Sequence, residues 1–90
     1  TVVAFNDLDP QAPVHVLIIP KEHIASAAEI NESNSAVVAH IFEVAAKIAA
    51  EKGLKDGFRI VNNCGDSAGQ SVKHLHFHLM GGRDFGWPAG

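Results

Sequence analysis

His74-Leu75-His76-Phe77-His78-Leu79-Met80 places an imidazole at every second position of a short apolar run. Successive side chains of a β-strand point to opposite faces. His74, His76 and His78 then share one face, and Leu75, Phe77 and Leu79 share the other. The apolar face belongs in a core. The histidine face carries imidazoles roughly 7 Å apart, at about 3.4 Å of rise per residue. Three of the six histidines of the chain fall within these five positions, and imidazole can act as nucleophile, base, acid or metal ligand near neutral pH.

Three readings of the row compete. Idle, solvent-exposed histidines are one, although histidine is not a strong strand former and strict alternation is improbable by chance. A zinc site is a second, with His15 or Asp7 completing the ligand set, but three same-face positions on one strand fan apart rather than converge on an ion. The third is phosphoryl or nucleotidyl transfer. A neutral imidazole attacks phosphorus and holds a transient P–N bond, while neighbouring imidazoles and hydroxyls donate to the phosphate oxygens and protonate the leaving group. The loop directly before the row favours this reading. Gly65, Gly69, Gln70 and Ser71 bring backbone N–H groups and a hydroxyl beside the histidines, a plausible anion cradle.

Outward from the row, the strand is expected over about 72–80 and ends at Gly81-Gly82. Phe58 to Asn62 alternates like a half-buried strand. A helix is expected over about 34–52, with Ser33 or Asn34 as its cap and Gly53 as its left-handed terminator. Its stripe is Val37, Ile41, Val44 and Ile48, widened by Val38, Phe42 and Ala45; His40, Glu43, Lys47 and Glu51 face the other way, with Glu43–Lys47 a favourable i,i+4 pair. Lys21–Glu32 reads as a connection with one loose turn. Val14–Ile19 is β-branched and stops at Pro20, and Val2–Phe5 is a second short strand, joined to it by a proline-bearing loop. Strand pairs grouped around one helix indicate an antiparallel α+β sheet.

Composition bounds the alternatives. Ninety residues with 47% hydrophobic and 19% charged residues form one domain, 1–90, with a real core. Such a core is small enough to favour an oligomer or a longer parent chain. The net charge of −3 and seven scattered basic residues leave no footprint for a nucleic acid polymer. No run is long enough for a membrane span. The single cysteine, Cys64, excludes an internal disulfide and suggests a reducing, cytoplasmic setting.

Gly69-Gln70-Ser71-Val72-Lys73-His74-Leu75-His76-Phe77-His78-Leu79-Met80-Gly81-Gly82-Arg83 resembles the signature of the histidine triad superfamily. Gly81-Gly82, the Trp87-Pro88-Ala89-Gly90 tail, and upstream Asp7 to His15 and Ile19 to Ile24 are similar to its histidine triad nucleotide-binding, or nucleoside phosphoramidase, branch. The tail departs from that branch at Ala89, where a second proline is usual. Asp9 stands where a small hydroxyl residue is common.

The resemblance implies a histidine-triad fold whose sheet continues across a homodimer, and a parent protein with a further N-terminal strand and helix. It implies hydrolysis of purine nucleoside 5′-phosphoramidates to a nucleoside monophosphate, of the AMP or GMP type, and an amine. No metal or other cofactor is expected. His76 would be the nucleophile, His78 would hold the α-phosphate, and His74 would support the nucleophile and the proton relay. Ser71 and Asn63 would contact phosphate, leaving group or ribose, and His15 would lie on the leaving-group side. Asp7 would hold the ribose hydroxyls, with Phe5 and Leu8 lining the base slot and Gly69 and Val72 beside it. Trp87 would reach toward the partner's site. Hydrolysis of dinucleoside polyphosphates is the nearest alternative, but that branch continues with a proline-arginine step where this chain has Gly81-Gly82. A nucleotidyltransferase would carry glutamine in place of His78. A nucleotide-binding adaptor with incidental hydrolysis would use the same residues. His40 reads as a solvated helix residue, His23 as structural, and Cys64 as a bystander.

Overall fold

Two apolar-alternating segments that are far apart in sequence pair at the centre of the molecule. The computed structural model describes residues 1–90. Its strands are β1 (Val2–Asn6), β2 (Val14–Pro20), β3 (Phe58–Val61) and β4 (Phe77–Gly81), and its one long helix is α1 (Ser35–Glu51). The sheet runs β1-β2-β4-β3, with every neighbouring pair antiparallel. The expected α+β class is what the chain adopts. The β2–β4 register sets Leu17 opposite His78 and Ile18 opposite Phe77. Side chains alternate across the sheet, so Val16, Ile18, Phe77 and Leu79 fall on one face, joined there by Leu75. These five and Ile24, Ile41 and Ala45 form the buried core.

α1 covers that face because Ile41, Ala45 and Ala49 recur at helical spacing and are buried, with Val37, Val38, Val44 and Ile48 half-buried beside them. Gly53 takes a φ of +71° just past the helix, the left-handed position expected of it. The expected cap is corrected. Asn34 occupies the N-cap position but makes no side-chain cap bond. Its Oδ1 accepts from Asn31 N (2.8 Å) and its Nδ2 donates to Glu29 O (3.1 Å), so the preceding turn consumes the side chain. The Glu43–Lys47 pair is also replaced. Glu43 instead meets His40, at 3.3 Å and i,i+3 spacing; both are exposed, so the pair contributes little.

The histidine strand is shorter than its pattern. Ladder pairing begins at Phe77, not near Val72. His74, Leu75 and His76 keep the alternation of half-buried, buried and half-buried positions, but the Leu75 N–H donates to Ile24 O in the connection after β2 rather than to a strand. That connection carries one short 3-10 turn, Ala27–Glu29. At the other end of β4, a Cβ on Gly81 would lie 2.5 Å from the Leu54 side chain. Leu54 occupies the space that the missing side chain leaves.

Leu79 is fully buried, opposite both Val16 and Ile60. Leu79→Ala is expected to destabilise the fold by about 2–5 kcal/mol, read as a lowered urea midpoint. A loss well below about 1 kcal/mol would show that this residue does not anchor the sheet to the helix.

Candidate functional site

The sheet face opposite α1 carries the imidazoles. His78 lies on β4, opposite Leu17 of β2 and Val61 of β3. His15 lies on β2, two residues from Leu17 and on the same face. The His15–His78 ring centroids are 5.1 Å apart, and His76–His78 are 5.3 Å apart. The rings lean together more closely than the roughly 7 Å two-residue repeat of an extended strand.

Backbone partners define which nitrogen of each ring holds a proton. His76 Nδ1 is 2.7 Å from the carbonyl oxygen of His74. A carbonyl only accepts, so Nδ1 carries the hydrogen and, in the neutral ring, Nε2 keeps a free lone pair. His74 Nε2 likewise donates to Pro20 O at 2.9 Å, and its Nδ1 meets Nδ1 of His23 at 3.2 Å. His15 has the opposite constraint. Gln11 N donates to His15 Nδ1 at 3.0 Å, so Nδ1 is the acceptor and Nε2 holds the hydrogen. His15 Nε2 then donates to His78 Nδ1 at 2.9 Å, which leaves the His78 hydrogen on Nε2.

The His78 pKa is pushed below the ordinary histidine value of 6.5, chiefly by burial, with His15 and His76 adding to the shift and Asp7 opposing it. The hydrogen bonding agrees, since a cationic His78 would turn an N–H toward the Nε2–H of His15.

Asp7 Oδ2 lies 3.5 Å from His15 Nε2, and Asp7 Oδ1 accepts from Asp9 N at 2.8 Å. Asp7, His15 and His78 thus offer ligand atoms within 4.8 Å of one another. The donor set does not suit a metal ion. A metal-bound histidine turns its other ring nitrogen, as an N–H, toward an acceptor, whereas His15 Nδ1 faces the N–H of Gln11. A metal on Nε2 would need the ring to lose its remaining hydrogen or this bond to break.

Beside the row is a slot of about 210 Å³ lined by Phe5, Leu17, Ile19, Val72, His74 and His76. It is smaller than the roughly 300–1,000 Å³ of a whole-ligand pocket, and is apolar except for its two imidazoles. Larger hollows lie near Gly53–Arg59 and near Ser33–His40, but none of the row's histidines reaches them.

The loop before the row is held by one side chain. Gln70 is only 5% exposed. Its Oε1 accepts from Gly65 N at 3.0 Å, and its Nε2 donates to Ala25 O (2.8 Å) and Val72 O (3.0 Å). Three backbone segments are thereby tied together, satisfying the polar atoms of a buried amide. Gly69 ends a 3-10 turn over Asp66–Ala68 with a φ of +88°. Across this loop the Lys73 ammonium donates a hydrogen bond to Asp66 at 2.7 Å, and that bond holds the Asp66 carboxyl below the usual carboxylate range.

Of the residues expected at the site, His15, His74, His76, His78, Asp7, Phe5 and Val72 lie on or beside this face. Asn63 is half-buried just after β3, and Ser71 is exposed between Gln70 and the slot residue Val72. Leu8 is 102% exposed in the bend after β1 and does not line the slot. Trp87 is 86% exposed and touches none of the slot.

Several contributors escaped the sequence reading. Leu17 and Ile19 line the slot, and strand alternation could have placed them. Asn62 Nδ2 donates to His76 O at 2.9 Å, a contact with no sequence signal. His23, read as structural, touches His74 directly.

The HIT domain matches residues 1–85. A 14 kDa zinc-binding protein of Zea mays is 45% identical over 91 residues, covering 99% of this chain and 71% of its own length. A HIT family hydrolase from Legionella pneumophila superposes with a TM-score of 0.96 at 47% identity, covering 99% of this chain and 80% of that one. A histidine triad nucleotide-binding protein from Candida albicans superposes with a TM-score of 0.77 at 33% identity, covering 99% and 69%.

His78 is expected to titrate below 6.5 in the folded protein, read by NMR of its ring protons. With the folded value depressed, the unfolded chain binds more protons below about pH 6.5. Stability should therefore rise with pH up to that value and fall as the solution is acidified through it. A His78 midpoint above 6.5 would contradict the neutral ring.

Proposed function

We propose that this chain, which belongs to the HIT family, is a nucleotide-binding hydrolase that cleaves the P–N bond of purine nucleoside 5′-phosphoramidates. The observation that carries this reading is the His76 tautomer. Its Nδ1–H is committed to the His74 carbonyl, so Nε2 offers a lone pair at the edge of an apolar slot. The hydrolase and nucleotide-binding names of the structural relatives support the same class.

In the proposed reaction the base enters the slot against Phe5, Leu17 and Ile19, with Val72 at its side. Asp7 accepts from the ribose hydroxyls, since an ionised carboxylate can only accept. His78 Nε2–H, Ser71, Asn63 and the backbone near Gly69 hold the phosphate. His76 Nε2 gives its electron pair to phosphorus, the bond to the amine nitrogen breaks, and the departing nitrogen takes up a proton from solvent at the open side of the slot, with His15 and His74 flanking that path. The His74 carbonyl stabilises the positive charge that develops on the His76 ring. Water then attacks phosphorus and loses a proton to solvent as the bond from phosphorus to His76 Nε2 breaks, which releases the nucleoside monophosphate and restores the neutral imidazole. No metal takes part.

His76→Ala is expected to lower turnover of adenosine 5′-phosphoramidate by several orders of magnitude while changing AMP binding little. Rapid quench with labelled substrate should trap an acid-labile, base-stable adduct on the native protein and none on the variant. Near-native turnover by the variant, or an adduct on Cys64, would overturn the nucleophile assignment. Faster cleavage of a diadenosine polyphosphate than of the phosphoramidate would overturn the substrate class.

The working unit is proposed to be a homodimer located in the cytoplasm. β3 leaves one edge unpaired, and Phe58, on that strand, and Trp87 are exposed; a second copy can extend the sheet and cover them. Sedimentation at micromolar concentration should give twice the 9.6 kDa chain mass. A fully active monomer would contradict a role for Trp87 at the partner's site.

A further inference from the structure

Gln11 lies in the loop between β1 and β2, outside the histidine row, yet both of its backbone polar groups are engaged around the site. Its N–H donates to His15 Nδ1 at 3.0 Å. Its carbonyl accepts from Arg83 Nε at 2.9 Å. Arg83 is itself braced, with Nη1 donating to Asp84 O at 2.9 Å and its guanidinium 4.2 Å from the centre of the Phe85 ring. Arg59 approaches the same ring at 5.0 Å and donates to Gly86 O at 2.9 Å. The loop also rests on the turn after β4, where a Cβ on Gly82 would lie 3.0 Å from Pro13.

The consequence is chemical. His15 is 6% exposed, with Nδ1 facing a backbone donor and Nε2 facing both His78 Nδ1 at 2.9 Å and the Asp7 carboxylate at 3.5 Å. A hydrogen on His15 Nδ1 would point at the hydrogen of Gln11, so the ring is held as the Nε2–H form. That form donates to His78 Nδ1, and His78 must then carry its own hydrogen on Nε2. Loss of the Gln11 donor would leave the more distant Asp7 carboxylate alone to favour the Nε2–H form, so a fraction of the two rings would reverse and His78 would there present a lone pair to an anion.

We propose that the backbone N–H of Gln11, anchored through its carbonyl by Arg83, is a positioning group that sets the direction of the His15–His78 hydrogen bond and so keeps His78 a donor toward phosphate. The effect on turnover rests on the phosphoramidase reading; the ring tautomers do not. Tautomers are therefore read first, by ¹⁵N NMR of histidine-labelled protein.

The native protein should show a pyridine-type Nδ1 and a protonated Nε2 on both His15 and His78. Gln11→Pro deletes the donor, and an amide-to-ester replacement at the same peptide deletes it without the proline ring, which keeps the test decisive if the proline variant does not fold. Either change should convert both rings to tautomer mixtures. It should also lower kcat by about 10- to 100-fold, the scale of a misdirected catalytic contact, with KM little changed. Gln11→Ala retains the N–H and should keep the native ring signals. Arg83→Met should shift them in the same direction as the ester, by less. A native His15 protonated on Nδ1, or native signals in the ester variant, would overturn the proposal. Unchanged signals in Arg83→Met would remove Arg83 from it. A native protein with the expected tautomers but no phosphoramidate turnover would leave the hydrogen-bond assignment standing and defeat the phosphoramidase reading instead.

Discussion

The antiparallel pairing of β2 with β4 is the constraint on which the rest of the molecule depends. One register serves two purposes at once. It presses Val16, Ile18, Phe77 and Leu79 against α1, and it sets Leu17 beside His78 on the opposite face. Because the side-chain period of a strand is two, a slip of one residue would put imidazoles in the core and leucines in solvent. The cost of burying unpaired imidazoles therefore protects the register, and the register in turn positions the site.

Within that frame the histidines are distinguished by the backbone groups they meet rather than by their own chemistry. His76 and His74 each face a carbonyl, and His15 faces an N–H. Identical side chains thereby acquire different forms: a free Nε2 lone pair on His76, and Nε2–H donors on His15 and His78. Fixed backbone dipoles of this kind need no reorganisation when charge develops nearby. They also separate this arrangement from a metal centre, for which the second nitrogen of His15 faces the wrong kind of partner.

The surrounding elements hold this arrangement in place. Gln70 ties the glycine-bearing loop to the connection after β2, and Asn62 binds the carbonyl of His76 itself. Neither needs to touch a ligand to matter. Each holds main chain whose small displacement would move a reacting group, and positional errors on the scale of about 1 Å are costly in catalysis.

Much was legible in the sequence because it depends on period and on local chemistry. Alternation in His74–Met80 separated core face from site face, the 3.6-residue stripe placed α1, and the Gly69 to Arg83 stretch carried the family resemblance. The tertiary structure decided everything that depends on a partner distant along the chain. It started the β4 ladder at Phe77, since Leu75 bonds to Ile24 instead of a strand. It left Leu8 exposed and lined the slot with Leu17 and Ile19, spent Asn34 on the turn before the helix it was expected to cap, and brought His23 against His74. The proton positions were beyond the sequence for the same reason. Residue type states that a histidine can donate or accept, but only the folded backbone, by placing a carbonyl or an N–H against one ring nitrogen, determines which it does.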